Sequence, residues 1–192
     1  MPGSTASKIL ELAVELKALI YGDFTLSSGR KSSYYFDGRL LTLYPEGAYL
    51  VGKAFFEALR ETGVRAIGGP TLAADPIVAA VALTSHLEGK PISAFIVRKD
   101  SKGHGTHKII EGPLQNGSLV AIVDDTCTMG SSLFHAIEAA ESAGCTVAHV
   151  MVILDRREGG SDELAQRGYK FSALLEAAPD GQIQVSGDLY LS

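Results

Sequence analysis

Cysteine is scarce in this chain, positive charge is in deficit and no apolar run is long. The two cysteines, without close spacing, build neither a zinc site nor a disulfide framework, so both read as reduced thiols, Cys145 as a small buried residue opening a strand. Acids outnumber lysine and arginine by 22 to 17, and a net charge of -5 argues against general binding of a nucleic-acid backbone. Any anionic ligand must then find a local basic cluster. Uncharged apolar runs such as residues 77 to 83 fall far short of the ~20 residues of a membrane span. The opening "MPGSTASKILELAVELK" lacks the basic-then-apolar order of a signal peptide. A cytoplasmic protein without membrane or nucleic-acid partners is expected. No repeat, low-complexity tract or linker interrupts the sequence, and 192 residues at 46% hydrophobic suit one domain over residues 1 to 192.

What is present is an alternation. Apolar, β-branched runs at 65 to 69, 92 to 97, 119 to 125 and 146 to 154 are separated by helical stretches, the punctuation of βαβ units. Pro45 suits a first helical turn and Gly63 a stop, Asp75 before Pro76 suits an N-cap, and Gly144 closes a helix over 130 to 143. Strands apolar on both faces imply an α/β fold with a parallel sheet covered by helices on both sides, and ligands outside the carboxyl ends of its strands. Ahead of it, "KILELAVELKALI" predicts an amphipathic helix, and "FTLSSGRKSSYYFDG" two short strands around a Ser-Ser-Gly turn. These form a small N-terminal hood built largely from residues 1 to 44.

One stretch asks for an explanation: "LVAIVDDTCTMGSS", residues 119 to 132. An apolar strand runs into two adjacent carboxylates, costly to bury, and then into small hydroxylated residues with a glycine ahead of a helix. Backbone N–H groups at that helix start, close approach at Gly130 and the hydroxyls of Thr128, Ser131 and Ser132 describe a phosphate cradle. It is neither a Walker loop, lacking the Gly-Lys-Ser/Thr, nor a dinucleotide fingerprint, lacking G-x-G-x-x-G. Asp124 and Asp125, as acceptors, match the vicinal hydroxyls of a ribose. The plain alternative is a strand terminus and helix cap.

The whole pattern resembles the phosphoribosyl pyrophosphate motif of the type I phosphoribosyltransferases. A second segment, "FIVRKDSKGHGTHKIIEG" at 95 to 112, gathers Arg98, Lys99, Lys102, His104, His107 and Lys108 around Gly103 and Gly105, which oppose a stable helix. Its order resembles the basic flexible loop of the orotate phosphoribosyltransferases. "FTLSSGRKSSYYFDGR" is similar to that family's hood, "GGPTLAADPI" to its loop after the first core strand and "VILDRREGG" to its late base-binding strand end. Two departures stand out. Ser27 occupies a hood-turn position where one branch has lysine, and Thr71-Leu72-Ala73-Ala74 replaces a Tyr-Lys pair.

The resemblance implies a type I phosphoribosyltransferase-like fold and transfer of ribose 5-phosphate from 5-phosphoribosyl 1-diphosphate to orotate. It gives roles to individual residues. Thr126, Cys127, Thr128, Met129, Gly130, Ser131 and Ser132 would cradle the 5-phosphate. Asp124 and Asp125 would hold the ribose, and Asp125 would also favour the sugar cation. Arg98, Lys99, Lys102 and His104 would meet the diphosphate, with Lys102 stabilising the leaving group. Arg156 would clamp the orotate carboxylate. Mg²⁺ would ride on substrate oxygens with no fixed protein ligands, and a two-fold homodimer would share its active sites. Cys127 reads as a spacer whose alkylation would crowd the loop. Rival functions are transfer to a purine or another base, or a non-catalytic regulator that binds phosphoribosyl diphosphate.

Overall fold

Both predicted layers of helix and the parallel sheet between them are present in the computed structural model, which describes residues 4–25, 29, 31–99 and 109–187. Helix α1 (Thr5–Glu15) starts where the Ser4 hydroxyl accepts from Ser7 N–H at 3.2 Å, and it buries Ala6, Ile9, Leu12 and Ala13. It ends earlier than its amphipathic pattern suggests. Ala18 is already buried and its carbonyl accepts from Asp37 N–H at 2.8 Å, while Leu19 and Ile20 open strand β1 (Leu19–Thr25). An antiparallel hairpin is formed with β2 (Lys31–Phe36). A one-turn helix α2 (Gly38–Thr42), capped by Asp37, leads into α3 (Pro45–Leu59), with proline at its first position.

The main sheet follows: β3 (Ala66–Pro70), α4 (Ala74–Leu87), β4 (Ser93–Val97), β5 (Ile110–Glu111), β6 (Leu119–Cys127), α5 (Ser131–Ser142), β7 (Thr146–Asp155), α6 (Gly160–Gln166), β8 (Phe171–Ala177) and β9 (Ile183–Val185). Its order is β5-β4-β3-β6-β7-β8-β9, parallel throughout except at the two edge strands, β5 and β9. From β3 the chain first moves to β4 on one side, then returns to place β6 on the other. The strand order therefore reverses between β3 and β6, and a crevice opens outside their carboxyl ends.

Two further predicted boundaries move. The strand expected to stop at 125 continues through Thr126 and Cys127, because the long β7 supplies partners, Leu154 and Asp155, for both. Helix α4 is not capped by Asp75. Its N-cap is Ala73, and Asp75, already inside the first turn, accepts from the Thr71 hydroxyl at 2.8 Å.

Side chains along β6 divide between two buried clusters. Ala121 and Val123 pack with α1, α3, α4 and the hood strands, whereas Val120 and Ile122 pack with α5 on the opposite face. Period-two alternation is expected of any strand, and here it decides where the acids go. Gly69 keeps β3 close: a Cβ there would lie 2.0 Å from the Val123 carbonyl oxygen and 2.6 Å from Ala74 Cβ.

Candidate active site

Asp124 and Asp125 continue the alternation of β6 beyond the core. Asp124 turns to the α5 face, where Ser132 Oγ donates to its Oδ2 at 2.8 Å and Asp125 N–H donates to its Oδ1 at 2.9 Å. Asp125 turns to the other face and packs on Gly38, while Thr126 Oγ1 donates to its Oδ1 at 3.2 Å. Burial, reinforced by the neighbouring Asp125 charge, pushes the Asp124 carboxyl up to about 7. Burial also raises Asp125, against the hydrogen bonds from Thr126. The folded chain thus holds two carboxylates that would each ionise more readily in water.

Behind them the loop is held from below. Cys127 C=O accepts from Arg156 N–H and Thr128 C=O from Gly160 N–H, both at 2.9 Å. In a trans peptide the N–H points away from the C=O, so the N–H groups of Thr128 and Met129 turn away from the β7–α6 segment. Gly160 is the seat: a Cβ on it would come within 2.6 to 2.7 Å of Gly130 N, Cys127 Sγ and Thr128 O. Gly130, with φ of 78°, caps α5 without a side chain, and glycine tolerates that left-handed geometry. The start of α5 therefore stands beside the acids with its first N–H groups uncapped by any side chain.

A cleft of about 950 Å³ opens at the carboxyl ends of β3 and β6. It brings together Arg98, Lys99, Asp124, Asp125, Ser131 and Ser132 from the sequence analysis. Thr126, Cys127, Thr128, Met129 and Gly130 are not in its lining, though they adjoin it in sequence. Lys102 and His104 lie outside the described residues. The basic segment is pinched at its base, where Arg98 N–H donates to Ile109 C=O at 2.8 Å and His135 Nε2 meets Arg98 C=O at 2.9 Å.

Arg156 sits apart from that cleft, at the carboxyl end of β7, and lines a neighbouring depression with Arg157 and Glu176. Its guanidinium is already organised: Nε donates to Glu158 at 3.0 Å, Nη2 donates to Ser32 Oγ at 3.1 Å, and the group lies 4.5 Å from the Tyr34 ring centroid. Strand β2 of the hood and the end of β7 thus meet around one cation.

Sequence reasoning missed several residues of the cleft, namely Tyr35, Asp37, Arg39, Thr71 and His135. The hood trio became visible only when the hairpin folded over the sheet. A local signal existed for Asp37 alone, an N-cap residue before α2. Asp37 accepts from both Nε and Nη2 of Arg39 at 2.9 Å, and this pairing holds its carboxyl below the usual range. Cys127 is not placed for the alkylation expected of it. It is fully buried, with its sulfur toward Gly160, and burial pushes its thiol up to about 12.

No family model matches the chain. It is 43% identical over 169 residues to an orotate phosphoribosyltransferase of Nostoc sp., covering 88% of this chain and 81% of that protein. A second, from Thermosynechococcus vestitus, is 43% identical over 175 residues, covering 88% and 92%. Among solved structures, the orotate phosphoribosyltransferase of Mycobacterium tuberculosis in complex with 5-phospho-α-D-ribosyl 1-diphosphate superposes with a TM-score of 0.74 at 32% identity, covering 90% of this chain and 96% of that one.

A buried thiol of high pKa is a poor nucleophile. Native protein incubated with iodoacetamide at pH 8 should keep its activity and show no label on Cys127 by peptide mass spectrometry, whereas urea-unfolded protein should label fully. Rapid native labelling at Cys127 would contradict the burial.

Proposed function

The chain belongs to the orotate phosphoribosyltransferase family, and from that premise we propose how its residues divide the reaction. The activity is transfer of ribose 5-phosphate from 5-phosphoribosyl 1-diphosphate to orotate. The products are orotidine 5-monophosphate and diphosphate, a pentosyl transfer of pyrimidine synthesis. The observation that carries the division of roles is the single cleft at the reversal of strand order, which joins a carboxylate pair to the cations Arg98 and Lys99.

In this reading the 5-phosphate lies against the start of α5 and the Thr126, Cys127, Thr128, Met129, Gly130, Ser131 and Ser132 segment, bound through backbone N–H groups and hydroxyls. Asp124 and Asp125 accept from the ribose hydroxyls. The orotate ring nitrogen bonds to C1 as the C1–oxygen bond to diphosphate breaks. Positive charge then grows on the sugar, close to Asp125, and negative charge on the diphosphate, met by Arg98, Lys99, Lys102 and His104. Lys102 acts on the leaving group. Arg156, aimed by Glu158, Ser32 and Tyr34, offers Nη1, which neither hydrogen bond uses, to the orotate carboxylate.

Mg²⁺ fits as an ion carried by the substrate. Asp124 and Asp125 give the cleft hard oxygen acceptors close to where the substrate's diphosphate and ribose oxygens would carry the ion. Bound there, the ion would neutralise diphosphate charge. A homodimer is supported by apolar surface that a two-fold partner would cover: Leu40, Leu43 and Tyr44 around α2, and Leu83 and Leu87 on α4, are exposed. We treat residues 1–192 as one domain, because hood residues Ile9, Leu12, Tyr34 and Phe36 share a buried cluster with Ala121 and Val123 of β6. A cytoplasmic location suits the two free thiols. No described helix is long and apolar enough to cross a membrane.

Diphosphate release from 5-phosphoribosyl 1-diphosphate should depend on orotate and stay at background with uracil, adenine or hypoxanthine. In the same assay Arg156→Ala should lose ~2–4 kcal/mol in kcat/KM for orotate, with affinity for the sugar donor nearly unchanged. Equal loss for both substrates would remove Arg156 from the base site.

Shared sites have their own signature. Lys102→Ala and Asp125→Asn should each be nearly inactive, yet equal amounts mixed under verified subunit exchange should recover about a quarter of wild-type activity, since half the dimers then hold one intact site of two. A mixture as inactive as its parts would place the loop at its own subunit's site.

A further inference from the structure

Glycine opens helix α2, at a position where alanine would favour the helix and the backbone demands no positive φ. Gly38 is buried, in a helix otherwise exposed at Arg39 and Leu40. The reason lies across the cleft. A Cβ on Gly38 would sit 2.5 Å from Asp125 Cβ and 2.8 Å from Asp125 Oδ2. Approach to Cβ cannot be relieved by turning the end of the carboxylate, because Cβ is fixed to the strand backbone. The first turn of α2 and residue 125 of β6 are therefore in direct contact, with no room for a methyl group.

We propose that Gly38 is a positioning residue: its bare backbone lets the hood close onto β6 and fixes the Asp125 carboxylate at the height and angle the ribose needs. The contact is flanked by charge. Asp37 caps α2 and binds Arg39 through both carboxylate oxygens, and both side chains line the same cleft as Asp125. Arg39 favours the ionised form of Asp125 and Asp37 opposes it. A displaced α2 would thus move the carboxylate and its nearest balancing charges together. Residues from an element that precedes the parallel sheet in sequence would set the geometry of an acid at its centre.

This inference rests on the reading that Asp125 holds the ribose, and the two can fail separately. Gly38→Ala should lower kcat/KM for 5-phosphoribosyl 1-diphosphate on the order of 100-fold, the size of effect produced by misplacing a group by about 1 Å. Its calorimetric affinity for the same compound should fall in step, while KM for orotate moves little. The decisive variant is Asp125→Gly, which has no Cβ to collide with. It should be impaired by itself, and adding Gly38→Ala to it should cost nothing more. If Gly38→Ala binds and turns over as wild type, or lowers the Asp125→Gly background as much as it lowers wild type, the positioning role is overturned. If Asp125→Gly itself keeps wild-type kinetics, the ribose role of Asp125 falls instead.

Discussion

Two carboxylates side by side at the end of a buried strand are the constraint around which this molecule is arranged. Their burial is unfavourable and incompletely offset: Ser132 and one backbone N–H serve Asp124, Thr126 serves Asp125, and both acids still hold protons more tightly than they would in water. A fold optimised for stability alone would place apolar or amide side chains there. Strand alternation makes the pair useful, since it sends one acid to the α5 face, beside the uncapped helix start, and the other to the hood.

The rest of the site follows from keeping that strand end rigid while leaving room above it. Gly69 lets β3 lie close enough to define the crevice, and Gly160 lets the start of α6 support the turn after β6. Cys127 fills the space beneath that turn as a small inert apolar group, so its place in the loop is explained by packing. On the far side the hood supplies Tyr34, which lies on Arg156, and Gly38, which lies on Asp125. The proposed sugar and base contacts are thereby both tied to the N-terminal hood.

Local patterns carried the architecture well. The apolar runs located β3, β4, β6 and β7 to within a residue or two, and Pro45, Gly130 and Gly144 marked helix ends correctly. The parallel sheet and the placing of the acids at a carboxyl end followed from those runs. What stayed hidden depended on distant partners. Thr126 and Cys127 are strand only because β7 is long, and β8 with β9 lacked distinct signals in a tail of mixed polarity. Asp75 looked like a cap, but the turn begins two residues earlier and the aspartate takes the Thr71 hydroxyl instead. Arg39, His135 and Tyr35 are unremarkable in sequence and enter the cleft only through the hood and the face of α5.

If the acid pair is retained for ligand binding at a cost to the fold, removing charge should separate stability from affinity. Asp124 has a folded pKa raised from 3.8 to about 7, so the folded chain binds the extra proton between those values. The penalty is therefore fully present above pH 7 and is relieved as pH falls toward 3.8. The direct measurement is denaturant unfolding of wild type and Asp124→Asn at pH 8 and pH 5, paired with calorimetric binding of 5-phosphoribosyl 1-diphosphate at pH 8. The variant should be more stable than wild type by about 1 kcal/mol or more at pH 8, with the gap narrowing at pH 5, and should bind the ligand at least tenfold more weakly. Wild-type affinity in the asparagine variant would contradict the central claim.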